Sequence, residues 1–194
     1  MAMMAHLPVI PENTADGEVK RIFEEIRRDK RLPFVPNFFK TLAHAPHALE
    51  ATWTAYRGIS TRGALPEALK EMIFVAVSVA RNSNYCEAAH LAFCNLLSVE
   101  ADDLVALTAN IESLQPERTR DILRFAVKCA LEPRTLEEAD YAKLRQHGIT
   151  DSEIVETIAM SGFALYAITL ADALKLDIDH EVTSILATHK ESAA

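Results

Sequence analysis

Residues 82–94 read NSNYCEAAHLAFC, with Cys86 four residues before His90 and Cys94 four residues after it. On a helix this spacing puts Cys86 and His90 on one face, with Cβ atoms about 5–6 Å apart. Asn82, Ser83 and Asn84 are all good N-cap residues, so a helix is expected to begin among them and to carry Cys86 in its first turn. The partial positive charge of a helix start favours a thiolate, and a neighbouring imidazolium favours it further. A thiol of ordinary pKa near 8.5 is only a few per cent ionised at neutral pH, and these two influences would shift it toward the reactive form. Glu71 joins them from fifteen residues upstream, in LPEALKEMIFVAVSVA, on a face that continues through Val75 and Ser78. A lone carboxylate in an apolar surface is costly unless it has a partner, and His90 or Cys86 is the nearest. The pattern predicts a relay in which Glu71 orients and charges His90, or passes a proton, and Cys86 attacks.

Packing is the competing use of these residues, since free cysteine is among the most buried residue types. Cys94, and Cys129 in DILRFAVKCALEP, read as core. Zinc is disfavoured by geometry: eight residues of helix rise separate Cys86 from Cys94 by about 12 Å, too far for one tetrahedral ion and for a direct disulfide. No metal is expected, and no cofactor either, because five glycines include no glycine-rich phosphate loop. His6, His44, His47, His147, His180 and His189 read as surface or terminal residues, with His44 and His47 placed where they could line a pocket. Trp53 and Tyr56 read as packing.

The elements that must position the relay are helical throughout. Apolar residues recur at three and four, as in Val19, Ile22, Phe23 and Ile26, and no hairpin signal is present. Pro66 and Pro116 stand at helix starts. Thr135-Leu-Glu-Glu138 and Thr150-Asp-Ser-Glu153 both fit the capping box, and Gly148 falls where a helix end needs a left-handed residue. Helices are expected near 16–30, 34–45, 47–59, 66–80, 84–97, 99–108, 116–131, 136–147 and 151–175, with a further turn or two from 178. The loops are short, which argues for a single all-helical domain over residues 1–194. Its halves, about 16–108 and 116–180, are weakly repeat-like. EMIFVAVSVA from Glu71 resembles ETIAMSGFAL from Glu156, and of the two helix pairs that contain them, 66–97 and 135–175, only the first carries a cysteine.

The chain has 194 residues, 49% of them hydrophobic and 25% charged, with a formal net charge of -8, a globular composition that disfavours nucleic acid or an anionic membrane as partner. No apolar run reaches the roughly 18 residues of a membrane span. MAMMAHLPVIPENTADGEVK lacks the basic and apolar regions of a secretory signal. Three cysteines without an export signal imply a reducing cytoplasm.

The run PEALKEMIFVAVSVARNSNYCEAAH resembles the signature of the carboxymuconolactone decarboxylase and alkyl hydroperoxidase D superfamily. Its peroxidase-like members carry a Glu, a Cys-x-x-Cys and a His four residues later. Glu71 matches the glutamate, Cys86 the second cysteine and His90 the histidine. VPNFFKTLAHAPHALEA, LRQHGITDSEIVETIAM and LADALKLDID agree with the uncharacterised peroxidase-related branch.

The resemblance implies an all-α fold of the alkyl hydroperoxidase D type with an internal duplication, assembled as homo-oligomeric trimers or hexamers. It implies a thiol-dependent, antioxidant-type reduction of a hydroperoxide by Cys86. Ser83 stands where the first cysteine would be, so the family's disulfide cycle is closed to this chain, and an external thiol or redox protein must resolve oxidised Cys86. Cys94 and Cys129, after rearrangement or from another subunit, are further candidates. Ser83 and Tyr85 are accessory candidates, Ser83 as a cap or as a donor to the Cys86 sulfur. The Asn and Arg often found near ALYAITLADAL in the family are missing. Two alternatives stand beside this reading: an acid–base enzyme of the decarboxylase type using His90 and Glu71 on a small acidic substrate, and a non-catalytic oligomeric protein that keeps the fold.

Overall fold

The computed structural model describes residues 5–192, with side chains through residue 188. Among these residues there are ten α-helices, three short 3-10 turns and no strand. The helices are α1 (Gly17–Lys30), α2 (Asn37–Leu42), α3 (Pro46–Ser60), α4 (Glu67–Ala80), α5 (Asn84–Leu96), α6 (Ala101–Ala109), α7 (Glu117–Leu131), α8 (Glu138–Gln146), α9 (Asp151–Leu174) and α10 (His180–Ser192).

Helix α4 is the axis of the molecule and packs against α5, α7 and α9. Every residue from Leu69 to Ser78 is buried, so α4 has no solvent face, as expected of a helix apolar on all sides. Two charged residues sit in this run, Lys70 and Glu71, both 0% exposed. One apolar core draws on both halves of the chain, from Ile22 and Phe23 of α1 to Ala167 and Ala171 of α9. A smaller cluster of Leu32, Phe34, Ala92, Phe93 and Val182 seats α10 against α5.

Helix ends follow local chemistry. Thr150 and Glu153 form the predicted capping box of α9, with the Glu153 amide donating to Thr150 Oγ1 and the Thr150 amide to Glu153 Oε2. The box expected from Thr135 does not form. Thr135 closes a 3-10 turn, and the box of α8 is made instead by Glu137 and Asp140, the Glu137 amide donating to Asp140 Oδ2 at 2.8 Å. Gly148 takes the left-handed conformation after α8 (φ 72°). Helix α2 is shorter than predicted because Pro36, with ψ 144°, holds the chain extended to its start. Helix α10 is a full helix of 13 residues where a turn or two was expected.

Lys70 and Glu71, adjacent in sequence, serve different partners. Lys70 Nζ donates to the Arg62 carbonyl and pairs with Glu156 Oε2 of α9 at 3.0 Å. Glu156 also accepts from the Ala64 and Leu65 amides at 2.7 and 3.0 Å. The loop between α3 and α4 is thereby clamped onto α9. Gly63 in that loop has φ +109°, and a Cβ there would lie 2.4 Å from the Glu156 carboxylate. Both facts restrict the position to glycine.

Candidate functional site

Helix α5 begins at Asn84 with Ser83 as N-cap, so Cys86 sits in the first turn as predicted. His90 follows one turn later, and both side chains line a narrow cavity of about 40 Å³, room for roughly two or three water molecules. The remaining walls are mainly aromatic, from Phe38 and Phe39 of α2, Tyr56 of α3, Phe74 of α4, Phe93 of α5 and Phe163 of α9. No lysine or arginine is in the lining.

The His90 ring is fixed on three sides. Its Nδ1 meets Glu71 Oε2 at 2.5 Å. Phe74 stacks on it, centroids 3.5 Å apart and planes 11° from parallel, and Phe93 meets it edge-on at 5.4 Å. Glu71 does not rely on His90 alone. Lys30, at the last turn of α1, donates to Glu71 Oε1 at 2.9 Å and to Glu67 Oε1 at 3.0 Å. The Tyr56 hydroxyl donates to the same Oε1 at 3.0 Å. Burial pushes the Glu71 pKa up, but Lys30 and then His90 more than offset this and hold it at about 2. Glu71 is therefore a carboxylate. The His90 Nδ1 that meets it therefore carries the proton of this bond. Burial lowers the Lys30 pKa, but Glu71 more than reverses that and leaves it raised. Burial, reinforced by Glu71, raises the Tyr56 hydroxyl. Tyr56, expected only to pack, thus also holds the carboxylate. Trp53 packs beside it with ring centroids 6.1 Å apart, and its indole N–H donates to Glu25 Oε2 at 3.1 Å.

Cys86 departs from the expected thiolate. It is 2% exposed, and burial pushes its pKa up to about 12, with the Ser83 hydroxyl opposing and Asp172 adding to the rise. Burial outweighs the helix start, so the resting sulfur is a thiol. No hydrogen bond joins it to His90, although the two share the cavity wall. The Ser83 hydroxyl stands within hydrogen-bonding reach of this sulfur and donates to Asp172 Oδ1 at 2.7 Å. Tyr85 is likewise committed: its hydroxyl donates to Asp179 Oδ2 at 2.9 Å and accepts from the Phe38 amide at 2.9 Å, tying α5 to α2 and to the segment before α10.

The remaining candidates lie apart from this cavity. Cys94 and Cys129 are buried, and all three cysteines are free. Burial raises the Cys94 pKa, and Glu71 adds to the rise, which places this thiol near the ion pair. His44 and His47 are exposed and do not line the cavity; His44 Nε2 meets the Pro8 carbonyl at 2.7 Å. His147 pairs with Asp121 at 2.8 Å. His6 and His180 are exposed, and the side chain of His189 falls outside the described residues.

Residues 46–127, which contain the whole Glu71–Cys86–His90 set, match the carboxymuconolactone decarboxylase family. This match and the shared fold both support the carboxymuconolactone decarboxylase and alkyl hydroperoxidase D-like superfamily. An uncharacterized peroxidase-related protein from Ralstonia eutropha JMP134, with an alkylhydroperoxidase AhpD core, is 27% identical at TM-score 0.84, covering 92% of this chain and 94% of that one. A second uncharacterized peroxidase-related protein, from Silicibacter sp. TM1040, is 29% identical at TM-score 0.81, covering 92% and 93%. The debrominase Bmp8 in complex with 2,3,4-tribromopyrrole shares the fold at TM-score 0.81 with 17% identity, covering 97% and 99%. No curated protein matches the sequence.

Proposed function

We propose that this protein is a thiol-dependent, peroxidase-related oxidoreductase of a reducing cytoplasm, working on small uncharged hydroperoxides. The observation that carries the reading is that a histidine anchored at Nδ1 by a buried glutamate shares a cavity of about 40 Å³ with a thiol. His90 would take the Cys86 proton as the substrate arrives, so that thiolate forms only in the encounter. The sulfur would attack the peroxide oxygen, breaking the O–O bond, to leave Cys86 as sulfenic acid and release an alcohol after protonation. One external thiol would then displace water to give a mixed disulfide. A second would release the free Cys86 and the oxidised small disulfide. Nothing within the chain replaces that reductant in this scheme, since Cys86 and Cys94 lie two turns apart on one helix and Cys129 is on α7.

An acid–base reaction of the decarboxylase type is the second reading, favoured by the suppressed ionisation of Cys86 beside a fully built Glu71–His90 pair. A lining without lysine or arginine gives a small acid no cation to hold it there. The two readings separate in one assay. Hydroperoxide consumption with a low-molecular-weight thiol should vanish in Cys86→Ser and fall about 10²-fold or more in His90→Ala. Activity that survives Cys86→Ser but not His90→Ala supports the acid–base reading, and parent-like behaviour of both variants supports a non-catalytic protein. The homo-oligomer implied by the superfamily is part of the proposal, supported by the apolar outer face of α9, where Val155, Ile158 and Tyr166 are 63%, 39% and 44% exposed.

A further inference from the structure

The sequence suggests that Glu71 charges His90, but the third group in the cluster changes the arithmetic of charge. Lys30 arrives from α1 with its side chain 5% exposed and meets Glu71, which is 0% exposed, at 2.9 Å. We infer that Lys30 is a positioning residue for this site: by holding Glu71 Oε1 with a fixed positive charge, it keeps His90 an uncharged base at neutral pH, its proton on Nδ1 and Nε2 free to accept. The inference deepens the proposed function and rests on it only for its catalytic meaning.

The geometry divides the carboxylate cleanly. Oε1 takes Lys30 and the Tyr56 hydroxyl, and Oε2 takes His90. One ammonium and one carboxylate already sum to zero, so a proton added to His90 would leave excess positive charge in a largely buried site, where uncompensated charge is costly. Without Lys30, the buried carboxylate would need the imidazolium as its counter-ion, and His90 would lose the role of base. Glu67 also touches Lys30, but its side chain is 38% exposed, so solvent screens it. The other ionisable groups around His90 do not supply the missing charge. Cys86 and Cys94 on its own helix stay protonated thiols, their pKa values raised by burial. Tyr56 from α3 is a neutral donor. Asp172 of α9 and Asp179, before α10, do not line the cavity; Asp172 is engaged by Ser83, and Asp179 by Tyr85 and the Asn37 amide. Helix α2 contributes phenyl rings to the cavity.

The test is the imidazole titration of His90, followed by NMR in the full chain and assigned with a His90→Gln control. Replacing Lys30 by Met should raise the midpoint by about one pH unit or more, whereas Lys30→Arg, which restores the charge, should leave it near the parent. An unmoved midpoint in a folded Lys30→Met protein overturns the inference. If that variant does not fold, Glu71→Gln is compared with Glu71→Gln/Lys30→Met, a pair without the buried carboxylate. The double variant should titrate about one unit higher than the single, and equal midpoints overturn the inference. Because this readout needs no substrate, absence of peroxidase activity would count against the proposed function and leave the role of Lys30 standing.

Discussion

Glu71 titrates at about 2 in the folded protein against 4.5 ordinarily, so as the pH falls the unfolded chain takes up its proton first. The stability contributed by the ionised carboxylate is complete above about pH 4.5 and is lost progressively toward pH 2, a difference on the order of 3 kcal/mol. In urea unfolding at a series of pH values, Glu71→Gln should be less stable than the parent at pH 7, by roughly 3 kcal/mol, because Lys30 loses its buried partner. It should also lose less stability than the parent over that acid window. The sulfur gives a second prediction. With a pKa pushed up to about 12, Cys86 should react slowly with iodoacetamide at pH 7, its rate climbing through pH 10 without a plateau. A plateau near neutrality would show a resting thiolate and contradict the burial argument. Part of this site was legible in the sequence, because Glu71 was a carboxylate in an apolar run and His90 a histidine one turn from a cysteine. Lys30 was not legible, since DKR at a helix end looks like any solvated charge. The one available clue was that a buried carboxylate wants a cation as well as an imidazole. The thiol's true state was hidden because a helix start can be read from a sequence, whereas the depth of the surrounding wall cannot.

Among the elements, the clamp between the α3–α4 loop and α9 is the most sensitive to a small change. Gly63→Ala would place a Cβ against the Glu156 carboxylate at a φ of +109°. It should destabilise the protein by at least 1–3 kcal/mol, measurable as a lower thermal midpoint with helical content retained below it. Helix positions were readable from periodicity, capping residues and prolines, and most boundaries fall within two residues of those expected. The misses have local causes. At the start of α8, Thr135 was a plausible cap, but the 3-10 turn from Pro133 displaced the helix start to Glu137 and Asp140. At the C-terminus, α10 extends to a full helix because Val182, 0% exposed, joins Leu32, Phe34 and Phe93 in a small cluster. That contact spans about 150 residues of chain and leaves no short-range signal.

For the molecule as a whole, the interesting helix is α9. By length and composition it is the one described helix that could cross a membrane, with a mean hydropathy of 1.7 in its most apolar window, yet half of that window is buried in this structure. Its inner side packs on α3, α4 and α7. Its outer side has no charged residue between Glu156 and Asp172, and a helix apolar all round is ordinarily covered. Light scattering on the parent should therefore report a multiple of the monomer mass. Val155→Glu and Ile158→Glu should lower that mass with the helical signal unchanged, and a monomeric parent would remove the assembly from the proposal.

The chain has a single tryptophan, and its place gives the cavity an optical reporter. Trp53 is 1% exposed and lies beside Tyr56, whose hydroxyl holds Glu71; Phe39, a wall of the cavity, meets the indole edge-on at 5.8 Å. Its fluorescence should be that of a shielded indole. Any molecule that enters and displaces those rings would change the emission, so occupancy could be followed without a label and before any turnover is known.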